Sequence, residues 1–150
     1  MRPREPAGAS LAHDPWRRFG KLSAWTLRWA ELPPGVMGST CHRTRTVTLA
    51  LGMSQAERRC TIAHETEHIE RGPVAPHETR REELIVDQLV ARLLIPDVRE
   101  LVDALSWARG HLETAADTLW VDDYLLQVRL AALTDAERSY VGQRLAYGSS

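Results

Sequence analysis

Cysteine is nearly absent: the chain has two, Cys41 and Cys60, in 150 residues. Two thiols make at most one bridge, which excludes a disulfide-stapled secreted scaffold and favours a reduced, cytoplasmic protein. No apolar run approaches the roughly 20 residues of a membrane span. The opening Met1-Arg2-Pro3-Arg4-Glu5-Pro6 lacks the apolar stretch of a secretory signal. An excess of charge of either sign is missing as well: the net charge is -1, so no bulk basicity points to nucleic acid or an anionic membrane. There is no internal repeat and no low-complexity tract. What remains is the mix of a globular protein, 43% hydrophobic and 26% charged, at a length that suits one domain with one sizeable core. The charge is uneven: residues 1–50 hold 8 Lys/Arg against 3 Asp/Glu, and residues 101–150 hold 4 against 7.

The stretch Thr61-Ile62-Ala63-His64-Glu65-Thr66-Glu67-His68-Ile69 contains H-E-x-x-H. On a helix, residues four apart lie on one face, so His64 and His68 can point two imidazoles at one metal ion. Glu65 sits beside them, where a carboxylate can serve as general base. Zn²⁺ accepts imidazole nitrogen, and a catalytic site keeps one position open beside three protein ligands. Glu67 puts a charge where zinc-peptidase helices usually carry an uncharged residue; it falls off the shared face and is expected to be solvated.

In chain order, residues 1–14 read as a flexible N-terminal arm and 15–150 as a single domain. Trp16, Phe19, Leu22, Trp25, Leu27 and Trp29 are spaced roughly as in a helix, which is expected from Pro15 to Ala30 and to pack in the core. Pro33-Pro34-Gly35 ends it. Val36–Thr40 and the alternating, β-branched Thr44–Leu49 suggest a hairpin that turns at Cys41-His42-Arg43. Such a strand can offer its edge to an extended peptide or simply shelter the next helix. Arg43 and Arg45 read as surface charges. Ser54-Gln55-Ala56-Glu57 is a capping box, so a helix starts near Gln55, carries the motif and stops at Arg71-Gly72-Pro73. Cys60, one turn before His64, reads as a small buried residue, with an additional ligand as the alternative.

The next helix runs from Arg80 to Ile95 and ends at Pro96. Glu83 and Asp87 lie four apart on one face, and Asp87 falls inside an apolar run, where a carboxylate is costly unless paired. Glu83 can supply a third, oxygen ligand. Asp87 can accept the free ring N–H of a ligating histidine, His64 by preference. The alternative, that Glu82 and Glu83 only place negative charge at a helix N-terminus, explains Glu83 but not Asp87. Glu82, Glu78 and His77 are weaker ligand candidates.

Taken together, Cys60–His68, the Glu83/Asp87 pair and Ala91-Arg92-Leu93-Leu94-Ile95-Pro96 resemble the ImmA/IrrE family of small zinc metallopeptidases of bacteria, phages and mobile elements, over roughly residues 36–133. The differences are Glu67, Val86 in place of a small Ala, and a short loop between His68 and Glu83. The resemblance implies an α+β, mostly helical, gluzincin-like fold, with a short hairpin before the active-site helix and a C-terminal helical, helix-turn-helix-like element. It implies Zn²⁺ on His64, His68 and Glu83, with Glu65 as base and Asp87 in support. It also implies a protein substrate such as a helix-turn-helix repressor or an antitoxin.

After Pro96, Asp97 can cap a helix ending near Gly110, and Glu113–Leu119 and Asp123–Leu133 flank Trp120-Val121-Asp122. Thr134-Asp135-Ala136-Glu137 is a second capping box, for a last helix through about Tyr147. Residues 97–147 thus form a C-terminal helical subregion. A DNA-reading module needs basic residues facing phosphates, whereas Glu113, Asp117, Asp122 and Asp123 outnumber Arg129 here. The reading is therefore a zinc endopeptidase with a protein or peptide substrate, no membrane association and no nucleic-acid partner. The oxyanion donor stays open among His42, His111, Tyr124 and Tyr140. Two rivals stand beside it: a DNA-binding regulator with a relict zinc site, and a protein-interaction module with structural zinc.

Overall fold

Ser54 starts the helix on which the rest is assembled. Its hydroxyl accepts from Glu57 N (3.1 Å), and its own backbone N–H donates to Glu57 Oε1 (3.0 Å). The computed structural model describes residues 13–147, and from this cap α2 runs over Gln55–Arg71. It stops at Gly72, whose φ of 84° suits a residue without Cβ. The arm expected over residues 1–14 lies outside the described residues except for His13 and Asp14.

α2 is covered on almost every side. Ile62 is fully buried against Phe19, Val47, Leu49 and Met53. Cys60 and Ala63 join a second cluster with Val86, Val90, Leu94, Leu101, Leu119 and Leu126. Each large apolar side chain buried there contributes about 1.5–3 kcal/mol of transfer free energy. Helix propensities differ by only about 0.7 kcal/mol per ordinary residue. Packing therefore holds α2, which is why it tolerates Thr61 and Thr66 in its middle.

The first cluster belongs to α1 (Pro15–Gly20) and to a three-stranded sheet of β1 (Thr26–Ala30), β2 (Gly38–Cys41) and β3 (Thr46–Ala50), in the order β1-β3-β2. β2 and β3 form the expected hairpin, but Cys41, expected in its turn, belongs to β2 opposite Thr46, and the chain turns over residues 42–45. Val47 and Leu49 point inward with no exposure, and Thr46, Thr48 and Ala50 between them are half-buried. β1 corrects the long helix expected from Pro15 to Ala30. Asp14 caps only the six residues of α1, and the chain re-emerges as a strand parallel to β3, Thr26 opposite Thr46. The apolar spacing changes from three (Trp16, Phe19, Leu22, Trp25) to two (Trp25, Leu27, Trp29), which is the period of a strand. Trp16 and Trp29, expected on one helix, instead stack from α1 to β1 with ring centroids 6.3 Å apart.

The second cluster gathers the remaining helices: α3 (Thr79–Leu94), entered through a 3-10 turn at Pro76–Glu78, α4 (Val98–Trp107), α5 (Leu112–Leu119), α6 (Asp123–Ala131) and α7 (Asp135–Tyr147). Asp97 caps α4 through Arg99 N at 2.8 Å, and Asp122 caps α6 through Leu125 N at 2.8 Å. The architecture is α+β and mostly helical, with seven α-helices among the described residues. The C-terminal helices share one core with α2 and α3. Arg129 of α6 is fully buried. It donates to Ile95 O (2.7 Å) and to Glu137 Oε2 (2.6 Å), tying the end of α3 to α6 and α7. No described helix is long and apolar enough to cross a membrane.

Candidate metal centre

α2 packs against α3, and His64 and His68 of the first face Glu83 of the second. His64 Nε2 and His68 Nε2 are 3.0 Å apart. Glu83 Oε2 lies 2.9 Å from His64 Nε2, and its Oε1 lies 3.0 Å from His68 Nε2. Two imidazole lone pairs this close need a proton or a cation between them. The three groups are the cluster able to hold a metal ion among the described residues. Zinc bonds of ~2.0–2.1 Å set a tetrahedral edge of about 3.4 Å, so the observed spacings fit a shared ion after an outward shift of about 0.4 Å. Two nitrogens and one carboxylate oxygen are also the right donor chemistry for a borderline ion such as Zn²⁺.

The face of His64 turned away from this cluster meets Asp87, with His64 Nδ1 3.2 Å from Asp87 Oδ1. That fixes which ring nitrogen carries the proton and leaves Nε2 for coordination. Burial works against charge on His64, but the hydrogen bond to Asp87 and the carboxylates of Glu65, Glu83 and Asp87 outweigh it and hold the imidazole above its ordinary pKa. Asp87 is buried within the apolar run of α3. Burial pushes its carboxyl up, and the bonds from His64 and Tyr124 pull it further down, to a net lowering. Tyr124 OH donates to Asp87 Oδ2 at 2.5 Å. That bond, with burial and the Asp87 charge, pushes the phenol up to about 12.

Glu65 is buried, and Thr40 Oγ1 of β2 donates to its Oε2 at 2.5 Å. β2 comes this close because Gly38 has no side chain: a Cβ there would lie 2.7 Å from Thr61 Cγ2 and 3.1 Å from Glu65 Oε1. An open cavity of about 350 Å³ lies beside the cluster, with His64, Glu65 and Glu83 among its polar walls and Met37, Val90 and Leu125 among its apolar ones.

Of the four candidate oxyanion donors, Tyr124 lines this cavity. His42 packs edge-on against Trp25 and lines smaller clefts shared with His68 and Glu83. His111 stands at the N-cap of α5 and Tyr140 sits against Arg144 on α7, both outside these clefts. Glu82 is taken by Arg71. His77 and Glu78 are exposed. Cys60 is buried and accepts from Asp122 N at 3.5 Å, burial pushes its thiol pKa far up, and its sulfur is not among the donors that converge with His64, His68 and Glu83. Arg43 and Arg45 are exposed.

Glu67 requires a correction. It is buried, not solvated, because α1 lies over that side of α2 and Arg18 pairs with Glu67 at 2.5 Å as well as with Glu70. The expected long helix hides this contact. Thr40, Gly38 and the second partner of Asp87 also escape the sequence pattern. The available signal is Asp87 itself: a buried carboxylate accepts more than one bond, and His64 satisfies only one of its oxygens. No family model matches the chain, and comparison with curated proteins and with solved structures gives no significant match.

Proposed function

We propose that this chain is a metal-dependent endopeptidase of the gluzincin type, similar to the ImmA/IrrE peptidases, in which His64, His68 and Glu83 hold Zn²⁺ and Glu65 is the general base. One observation carries the reading: three donors converge beside a carboxylate that is buried, oriented by Thr40 and open to the same cavity. When bound, the ion polarises the scissile carbonyl and acidifies water. Glu65 takes the proton of that water as its oxygen bonds to the carbonyl carbon. Glu65 then gives the proton to the amide nitrogen as the C–N bond breaks. Thr40 keeps the Glu65 carboxylate from turning away between the two transfers. Asp87 holds the tautomer of His64. The Tyr124 hydroxyl is committed to Asp87, so His42, which lines the clefts beside His68 and Glu83, is the candidate left to steady the oxyanion.

β2 supports a peptide as substrate. It is the outer strand of the sheet next to Glu65, and its far edge pairs with no strand among the described residues, so an extended chain can add to it. An intracellular regulator, such as a helix-turn-helix repressor or an antitoxin, is the substrate the resemblance suggests. The rivals have less support. Glu113, Asp117 and Asp123 are exposed on α5 and α6, and Arg129 is fully buried, out of reach of a phosphate. A structural zinc site closes with four protein ligands, and three converge here among the described residues.

Glu65→Gln tests the proposal. The variant is expected to keep one equivalent of zinc and lose cleavage of a peptide library that the parent digests. Undiminished cleavage by the variant, or a parent that binds no zinc and cuts nothing, overturns it.

A further inference from the structure

Among the described residues, the hydroxyl of Tyr124 links the C-terminal helices to the metal cluster by a hydrogen bond to its supporting carboxylate. Tyr124 lies in the first turn of α6, and the residue is 59% exposed. Burying the ring therefore does not explain its position. What it does make is a hydrogen bond: its OH donates to Asp87 Oδ2 at 2.5 Å, while Asp87 Oδ1 faces His64 Nδ1 at 3.2 Å. A carboxylate held at one oxygen can still rotate about its Cβ–Cγ bond. Held at both, its plane is fixed, and so is the ring that bonds to it. Asp122 caps the helix at Leu125 N, so the turn that carries Tyr124 is itself anchored.

The geometry points to Tyr124 as a positioning residue: acting through Asp87, it fixes the ring of His64 and so sets how tightly the centre holds its metal ion. The inference rests on the proposed metal site. It adds that α6 is part of that site's support rather than an appended module. Loss of a direct partner of a ligating histidine weakens metal binding by roughly 10–100-fold. Tyr124 acts one bond further out, so a smaller effect is expected, about 3- to 10-fold.

The test is a double-mutant cycle on zinc affinity, read by competition with a chromophoric chelator for the full chain, Tyr124→Phe, Asp87→Ala and the double variant. Tyr124→Phe is expected to weaken binding about 3- to 10-fold in the parent and to change nothing once Asp87 is gone. Tyr124→Leu should give the same pattern and guards against a fault peculiar to phenylalanine. The visible spectrum of the Co²⁺-loaded protein should shift in Tyr124→Phe, because the ring of His64 turns. Equal weakening with and without Asp87 would mean that Tyr124 merely steadies α6 and would overturn the proposal, as would unchanged affinity. If the parent takes up no zinc, the metal site falls and the inference with it. If Asp87→Ala weakens binding and Tyr124→Phe does not, only the inference falls.

Discussion

Replacing Gly38 by alanine adds one methyl group at the point where β2 crosses α2. The new Cβ would lie 2.7 Å from Thr61 Cγ2 and 3.1 Å from Glu65 Oε1, against the 3.5–4.0 Å of ordinary carbon contacts. Thr61 cannot swing its methyl aside cheaply. It is β-branched on a helix, which restricts χ1, and its hydroxyl is committed to Glu57 O at 2.7 Å. The strand must move instead, and overpacking of this kind costs about 1–3 kcal/mol. At about 2–4 °C per kcal/mol for a domain of this size, the melting temperature should fall by about 2–12 °C. Thr61→Ser removes the opposing methyl and keeps the hydroxyl, at a cost of about 0.5–1.5 kcal/mol on its own. The pair should therefore be less damaged than the two single effects combined, with a coupling of about 1–2 kcal/mol in urea or thermal melts. Simple additivity would refute the reasoning. Thr40 lies two residues along the same strand, so Gly38→Ala should also slow the proposed hydrolysis by loosening the hold on Glu65.

Three further outcomes are expected. His68→Ala should leave the purified protein with almost no zinc beside about one equivalent in the parent by elemental analysis; equal content in both would remove the site. Arg129→Met leaves Ile95 O and much of Glu137 without a partner, which should cost about 3 kcal/mol and lower the melting temperature by about 6–12 °C; an unchanged melt would show that the pair contributes nothing. Glu137 is pulled down to about 2 from 4.5, chiefly by its bond from Arg129. A depressed folded-state value favours the native state above the ordinary pKa and loses that support as pH falls from about 5 to 2. With solvent screening at the pair's open side the loss is on the order of 1–2 kcal/mol, and Glu137→Gln should show a flatter acid limb in denaturant titrations.

Features written over a few neighbouring residues are legible in the amino-acid order alone. Ser54/Glu57 and Thr134/Glu137 each make the reciprocal bonds their spacing implies. Pro96 and Gly72 stop their helices, and a carboxylate at Asp87, costly in an apolar run, has a histidine beside it. What stays hidden depends on partners far along the chain. β1 is a strand because β3, twenty residues later, pairs with it in parallel, while its aromatic spacing imitates the tail of a helix. Glu67 reads as solvent-bound because nothing local indicates that Arg18, 49 residues away, covers it. Thr40 and Tyr124 reach their carboxylates across 25 and 37 residues. A pattern can propose such meetings, but only tertiary packing selects among them.

Because α2 is lodged between both apolar clusters, neither can come apart without breaking contacts with the same helix. Its backbone amides from Cys60 to Glu67 are thus tied to the opening of the whole molecule rather than to local fraying, and should be the slowest in the chain to trade hydrogen for deuterium. The proposed chemistry, which needs His64, His68 and Glu65 kept in fixed register, would thereby rest on the segment expected to have the least freedom to breathe.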